Sequence, residues 1–445
     1  MSRRSRKPER LVETASIRDL TLDGRGVADI PGKSVFIDGA ITGETVRFQR
    51  ERKRKNYDEA ELLEVVTPSL DRVEPPCVNF MLCGGCTLQH LSPAAQLGAK
   101  QDALLQALER IGKVYPANVL EPLAGQPLGY RRRARLGARL VAKKGRVLVG
   151  FREKRSSFVA DMQSCETLTP ELSKLIPELS DLIGLLHISA KVPQIEISMG
   201  DNAISLVFRV LDEPSAKDRE LLEAFGEKHA AQIWLQTGGP GTLAPIDPGQ
   251  PPDDLWYELP EYDLRLAFGP LDFIQVNQDL NRRMISQAMQ LADPQPDDRV
   301  LDLFCGIGNF TLPLARHAGQ VVGVELDPRM VAKAAANAAM NGLENVNFYA
   351  ANLADTTASR PDWWAGGFDL VVVDPPRAGA LEVLQQIVAT GAKKILYVSC
   401  HPGSLARDAG ILCGDYGYSL RSAGAMDMFP ATSHVEAMAL FELPQ

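Results

Sequence analysis

Asp302-Leu303-Phe304-Cys305-Gly306-Ile307-Gly308-Asn309-Phe310 runs from a strand-like apolar stretch into the start of a helix, and its reading decides the fold. Two glycines two apart let a backbone turn tightly and approach a ligand without Cβ clashes. The third glycine of the dinucleotide fingerprint is missing, since Thr311 stands there; this counts against a pyrophosphate cofactor. Working outward, VLDLFC (300–305), VVGVEL (321–326), VNFYAA (346–351), FDLVVVD (368–374) and ILYVSC (395–400) are short apolar strands, with helical stretches such as 328–341 and 379–391 between them. Continuous apolar strands separated by helices predict an α/β fold, a Rossmann-like doubly wound sheet, from about residue 271 onward. Ligands bind such a sheet beyond the carboxyl ends of its strands.

The chemistry-bearing residues gather at those ends. Glu325 closes the second strand, where a carboxylate accepts hydrogen bonds from ribose hydroxyls, and Asn352 closes the third, suited to an adenine edge. A G-x-G turn followed one strand later by an acid fits S-adenosylmethionine better than NAD. Asp374-Pro375-Pro376-Arg377 ends the fourth strand; paired prolines stiffen the corner and present the Asp to a substrate. Ser399-Cys400-His401-Pro402 ends the fifth. A strand cysteine is most often a small buried hydrophobe, but this one sits at the ligand edge. Methylation at carbon 5 of a pyrimidine requires such a thiol: that carbon becomes nucleophilic only after a thiolate adds to carbon 6. A base must later remove the carbon-5 proton, and Glu436 in Thr432-Ser433-His434-Val435-Glu436 is the candidate. Methylation of an exocyclic amine is the competing chemistry, and it needs no Cys400.

Charge divides the chain. Residues 1–160 hold 29 basic and 18 acidic side chains, a net of +11, whereas the remaining 285 carry a net of −19, for −8 overall. A basic front on an acidic back suggests a module that grips a polyanion. The 45% hydrophobic fraction is that of a globular protein, and no apolar run approaches a membrane span. The start, MSRRSRKPER, lacks an apolar h-region, and seven scattered cysteines argue for a reducing compartment, so a cytoplasmic protein is expected.

Residues 12–67 read as about five short strands punctuated by glycines, which suggests a small barrel of OB type. The basic loop Arg50–Lys55, together with the basic residues of 131–155, would carry phosphate contacts. A helix should begin after the Ser92 cap at Pro93 and stop at Gly112, with Leu97, Leu104, Leu105, Leu108 and Ile111 as its apolar stripe. Residues 130–155 are dense in Arg and Lys, and 195–268 alternate strands and turns around one helix near 215–230, a mixed α+β region. Tyr130, Phe151 and Phe158 lie among the basic residues and are expected as core first, base-stacking platforms second.

DLFCGIGNF, DPPR, VSC and FPATSHVE, with Gln275 in Phe273-Ile274-Gln275-Val276-Asn277, together resemble the RNA uracil-C5 methyltransferases, in that family's order and spacing and over almost the whole chain. The resemblance implies cofactor contacts from Gln275, Phe304, Asn309, Glu325, Asn352 and Asp374, with Cys400 as nucleophile and Glu436 as proton acceptor. His401 departs from it, since the family commonly has Asn after the cysteine. Cys77, Cys83 and Cys86, with Cys165 far downstream, look like the [4Fe–4S] ligand set of the ribosomal members, and four thiolates suit such a cube. Spacing alone leaves zinc open, with Cys83, Cys86 and His90 as a finger-like set. The N-terminal barrel resembles a TRAM domain, and transfer-RNA members look shorter, without barrel or cluster. The implied organisation is a TRAM-like RNA-binding barrel (12–67), an iron–sulfur α+β domain (68–92 and 125–270) and a methyltransferase domain (93–124 and 271–445). The implied protein is a monomer acting on 23S ribosomal RNA, away from any membrane. A non-catalytic iron–sulfur RNA sensor is the rival from another class.

Overall fold

The computed structural model describes residues 12–21, 23–355, 362–364 and 366–444; the basic start, MSRRSRKPER, lies outside them. The chain divides into two compact units, residues 1–100 with 431–433, and residues 101–430 with 434–445.

In the first unit β1 (Val12–Ser16), β2 (Asp19–Leu20), β3 (Arg25–Ile30), β4 (Lys33–Asp38), β5 (Thr45–Lys53) and β6 (Tyr57–Thr67) form one six-stranded sheet in the order β1-β5-β6-β4-β3-β2. The alternation read from the sequence places Ile17, Ala28, Val35, Ile37, Val46 and Phe48 in its core. Two buried carboxylates stiffen it. Asp58 accepts from Lys33 and Arg50, each at 2.7 Å; burial alone would raise its carboxyl, but these cations and the Arg54 N–H hold it at about 2. Glu44 accepts from the Arg72 guanidinium at 2.5 and 2.9 Å, tying the strand-poor segment after β6 to the sheet. The basic stretch is only partly a loop. Arg50–Lys53 belong to β5, and Arg50 is committed to Glu13 and Asp58 at 2.7 Å, which leaves Arg52 to Lys55 as the exposed cations.

Helix α1 (Pro93–Ala107) starts as expected: the Ala95 N–H donates to Ser92 Oγ at 3.3 Å. Its end differs. A π turn spans Leu108–Gly112, Lys113 takes the left-handed conformation, and Ile111 is exposed while Leu104 and Leu108 are buried. Gly112 is a contact position rather than a stop: a Cβ there would lie 2.4 Å from the Ala406 carbonyl oxygen.

The second unit continues with β7 (Asn118–Val119), β8 (Arg133–Val141), β9 (Arg146–Gly150), α2 (Pro170–Leu185), β10 (Gln194–Met199), β11 (Ile204–Arg209), α3 (Ala216–His229), β12 (Ala231–Gln236), β13 (Leu243–Pro245), β14 (Leu255–Leu259) and β15 (Leu264–Phe268). β13-β12-β11-β10-β8-β9 is a mixed six-stranded sheet and β14-β15 a separate hairpin. Much of the Arg/Lys density here is structural. Arg132 is buried against Asp201 (2.6 Å), Gln278 and the Gly200 carbonyl, and Lys144 and Arg146 both pair with Asp161 at 2.5 Å. Tyr130 is buried, donating to the Pro430 carbonyl at 3.0 Å, whereas Phe158 is exposed.

After these come α4 (Gln278–Ala292), β16 (Arg299–Leu303), α5 (Thr311–Ala315), β17 (Gln320–Glu325), α6 (Pro328–Met340), β18 (Val346–Ala350), β19 (Leu370–Val373), α7 (Leu381–Ala389), β20 (Lys394–Ser399), α8 (Pro402–Gly414), β21 (Ser419–Met426) and β22 (Glu436–Glu442). They build an eight-stranded sheet in the order β18-β17-β16-β19-β20-β22-β21-β7. The strands from β18 to β20 are parallel, and β22 inserts antiparallel between β20 and β21. Buried Val, Leu and Ile on both faces explain the continuous apolar strands. The strand order reverses between β16 and β19, so the crevice beyond their carboxyl ends is the expected ligand position. No helix among the described residues is long and apolar enough to cross a membrane.

Candidate active site

The turn after β16 is shaped for close approach. Phe304 (φ +64), Gly306 (φ +56) and Gly308 (φ +97) all take positive φ. For a bulky Phe this is a strained conformation of the kind that gathers at ligand sites. A Cβ at Gly306 would meet nothing within 4 Å, so the turn faces open space. Glu325, at the end of β17, accepts from the Gly306 N–H at 3.2 Å and from the Leu326 N–H at 2.7 Å, which orients its carboxylate over the turn. Beneath lies Asp302, a residue the sequence reading quoted but gave no role. Its Oδ2 accepts from Thr311 Oγ1 at 2.5 Å, and its buried Oδ1 has no hydrogen-bond partner. Burial pushes this carboxyl up to about 7, against the Thr311 hydrogen bond and helped by Asp374 and Glu325; burial likewise pushes Asp374 up to about 7. A glycine turn, an orphaned buried oxygen and three carboxyl groups fit a ribose-bearing, cationic ligand such as S-adenosylmethionine.

Asn309 is held from two sides. Its Oδ1 accepts from Tyr257 Oη at 2.8 Å and from Asn281 Nδ2 at 3.0 Å, while its Nδ2 donates to Asn281 Oδ1 at 2.9 Å. An open cleft beside this cluster is lined by Arg132, Met199, Tyr257, Ile274, Gln275, Gln278 and Asn281, which brings Gln275 near Asn309 through shared neighbours. Asn352 is exposed past β18, its Oδ1 accepting from the Ala354 N–H at 3.1 Å. Tyr257 and Asn281 escaped the sequence reading because a Tyr in a strand and an Asn in a helix carry no local motif.

Cys400 follows β20. Ser399 pairs with Ala437 in the antiparallel β20/β22 ladder; Cys400 follows Ser399 and Glu436 precedes Ala437 as the first residue of β22, close enough for its charge to act on the thiol. Cys400 is half-buried and Glu436 buried. Burial raises the thiol pKa; the charges of Glu436 and Asp374 raise it further, and the Arg377 guanidinium opposes them. Cys305, the rival thiol in the glycine turn, is driven well above the ordinary range by burial, which makes it inert. Arg377 meets His434 Nδ1 at 2.9 Å. The corner carrying Asp374 and Arg377 is braced from behind: Asp408 Oδ2 accepts from the Ala380 N–H at 2.8 Å and Tyr397 Oη at 2.7 Å, and Arg407 donates to Oδ1 at 2.8 Å. Gly379 (φ +87) has no room for a Cβ against Asp408 and Arg407.

His401 is the N-cap of α8, its Nδ1 accepting from the Ser404 N–H at 3.1 Å. An Asn side chain offers the same kind of acceptor at an N-cap, so the departure from the family pattern preserves the loop by a different atom.

Of the cysteines assigned to a metal, Cys77 and Cys83 are buried and Cys86 half-buried in the first unit, and Cys165 is buried in the second. Among the described residues no three His, Cys, Asp or Glu side chains are grouped closely enough to hold a metal ion. Cys83 Sγ accepts the Gly85 N–H at 3.4 Å.

The family described as tRNA (Uracil-5-)-methyltransferase matches residues 265–443. The chain is 50% identical over 432 residues to a Methylococcus capsulatus protein named 23S rRNA (uracil(1939)-C(5))-methyltransferase RlmD, covering 96% of each. It is 49% identical to the RlmD of Xanthomonas campestris pv. campestris, covering 99% of this chain and all of that one. The crystal structure of Pyrococcus abyssi tRNA (uracil-54, C5)-methyltransferase with S-adenosyl-L-homocysteine superposes with a TM-score of 0.73 at 22% identity, over 96% of this chain and 100% of that one. That last match runs against the expectation about length, since a protein named as a transfer-RNA enzyme matches nearly the full length of this chain.

Proposed function

The chain belongs to the family of 23S rRNA (uracil-C5)-methyltransferases, and from that premise we propose that it methylates carbon 5 of uracil 1939 in 23S ribosomal RNA through a covalent adduct on Cys400. The single observation that carries the residue assignment is the pairing of Ser399 with Ala437 between β20 and β22, which brings the adjoining Cys400 and Glu436 to the same end of the sheet, where the glycine turn also opens. S-adenosylmethionine, when bound, supplies an electrophilic methyl group. Glu325 is assigned to the ribose, Asn352 to the base, and Gln275, Phe304, Asn309 and Asp374 to the remaining contacts. Cys400 adds as thiolate to carbon 6 of the uracil, which makes carbon 5 nucleophilic. The N-terminus of α8 and the Arg377 guanidinium favour the thiolate. After methyl transfer Glu436 takes the carbon-5 proton and the thiolate leaves, restoring the ring.

The target base must leave its stack to reach the thiol. Exposed Arg52, Lys53, Arg54 and Lys55 at the end of β5, with Arg139 and Lys143 in the second unit, are assigned to RNA phosphates, so affinity should fall steeply with salt. The division into a TRAM-like barrel, an α+β domain of 68–92 with 125–270 and a methyltransferase domain of 93–124 with 271–445 belongs to the same proposal, supported by the separate sheets. So does a [4Fe–4S] cluster on Cys77, Cys83, Cys86 and Cys165, whose support is the donor chemistry alone; no step of the reaction is routed through it. A cytoplasmic monomer is part of the reading. Incubation with unmodified 23S RNA and labelled S-adenosylmethionine, followed by mapping, tests the substrate: methylation at uracil 1939 is expected. Methylation of transfer RNA instead would favour the second reading, to which the P. abyssi fold match points. Iron and sulfide analysis of anaerobically purified protein tests the cluster, with zinc as the contrary result.

A further inference from the structure

Asn309 has an almost exhausted hydrogen-bonding capacity. An amide side chain offers two acceptor lone pairs and two N–H donors. Both lone pairs of Oδ1 are taken, by Tyr257 Oη and Asn281 Nδ2, and one Nδ2–H is spent on Asn281 Oδ1. One N–H remains, so this side chain meets a ligand only as a donor. The Tyr257 hydroxyl, by donating to Oδ1, sets which way the Asn309 amide is turned, and the Asn281 amide pairs with it in the matching orientation; both partners are buried. Burial also drives the Tyr257 phenol far above its ordinary range, keeping its proton on the oxygen. The neighbouring cleft is lined by Arg132, Gln275, Gln278 and Asn281; Arg132 and Gln278 are bonded to Asp201, and the Gln275 amide adds a second N–H donor beside Asn309 for an acceptor such as a carboxylate. The carboxylate-rich end of the site, with Glu325, lies with the glycine turn instead.

We propose that Tyr257 and Asn281 are positioning residues that lock Asn309 as a one-way donor to the carboxylate of the cofactor's amino-acid end. The inference rests on the reading of Asn309 as a cofactor contact and deepens it by naming the chemical group met. It also gives the β14-β15 hairpin a function: β14 carries Tyr257 into the cofactor site.

Calorimetric titration of the full-length protein with S-adenosylhomocysteine and with 5′-methylthioadenosine, which lacks the amino-acid carboxylate, tests it. Tyr257→Phe keeps the ring and removes only the donor; it should weaken S-adenosylhomocysteine about fivefold, the worth of roughly one hydrogen bond, and leave 5′-methylthioadenosine unchanged. Asn281→Ala, compared at equal thermal stability, should act in the same direction. Equal weakening of both ligands overturns the proposal, since Tyr257 would then act on the fold as a whole. So does an unchanged affinity in Tyr257→Phe when Asn309→Ala still binds S-adenosylhomocysteine less well. An unchanged affinity in Asn309→Ala overturns the underlying reading of Asn309 instead.

Discussion

Replacing Glu436 by Gln should split the reaction at a visible point. This side chain begins β22, next to the Ala437 that pairs with Ser399, and its charge is among the causes that raise the Cys400 thiol pKa, after burial. Two unit charges about 6 Å apart interact by roughly 0.7 kcal/mol in water and roughly 3 kcal/mol at the effective dielectric of a protein surface. A half-buried thiol lies between these limits, so removing the charge should lower its pKa. The sign follows directly: a raised pKa means too little thiolate at neutral pH, and Glu436→Gln increases that fraction. Alkylation of the Cys400 peptide by iodoacetamide at pH 7.5, followed by mass spectrometry, should therefore be about tenfold faster in the variant, the factor that about 1.4 kcal/mol of relieved repulsion, inside that range, implies. With RNA and S-adenosylmethionine the same variant should accumulate a protein–RNA adduct on denaturing gels, because the carbon-5 proton has no acceptor. Slower or unchanged alkylation would refute the electrostatic reasoning, and turnover without adduct would remove Glu436 from the role of base.

Asp408→Asn should loosen the corner that carries Asp374 and Arg377, because the buried carboxylate serves Ala380, Tyr397 and Arg407 together; a stability loss of about 2–4 kcal/mol by chemical denaturation is expected, with a lower kcat. His401→Asn should keep the α8 cap and the wild-type stability, whereas His401→Ala should lose about 1 kcal/mol in the same measurement. For Asp58 the folded pKa is depressed to about 2 from the model-peptide value of 3.8. Its contribution to stability is thus complete above about pH 4 and is lost as pH falls toward about 2. Acid unfolding of wild type and Asp58→Asn, followed by fluorescence, should show this pH-dependent difference between them.

What was legible in the sequence was whatever depends on near neighbours. The five apolar strands lie within a residue or two of their observed limits; in the four from β16 to β20 that lie inside the sheet, burial on both faces writes itself as an unbroken apolar run, while β18 at the edge is only partly buried. The glycine turn and the Ser92 cap are equally local. The end of α1 was not legible: Ile111 continues the helical stripe, yet Gly112 is set by the Ala406 carbonyl nearly 300 positions away. The basic residues taught the same lesson. Arg50 and Arg132 read as phosphate ligands until their partners are seen, Glu13 and Asp58 for one and Asp201 for the other, and only the fold brings those carboxylates in. The brace behind Asn309 joins residues from β14, α4 and the glycine turn, which no spacing rule connects.

The covalent step remains the centre of the account, and a 5-fluorouridine-substituted 23S RNA fragment addresses it most directly, since fluorine at carbon 5 cannot be removed as a proton. Peptide mapping after incubation with S-adenosylmethionine should find the nucleotide bonded to Cys400 in stoichiometric yield. An adduct on another residue, or none while unsubstituted RNA is methylated normally, would contradict it.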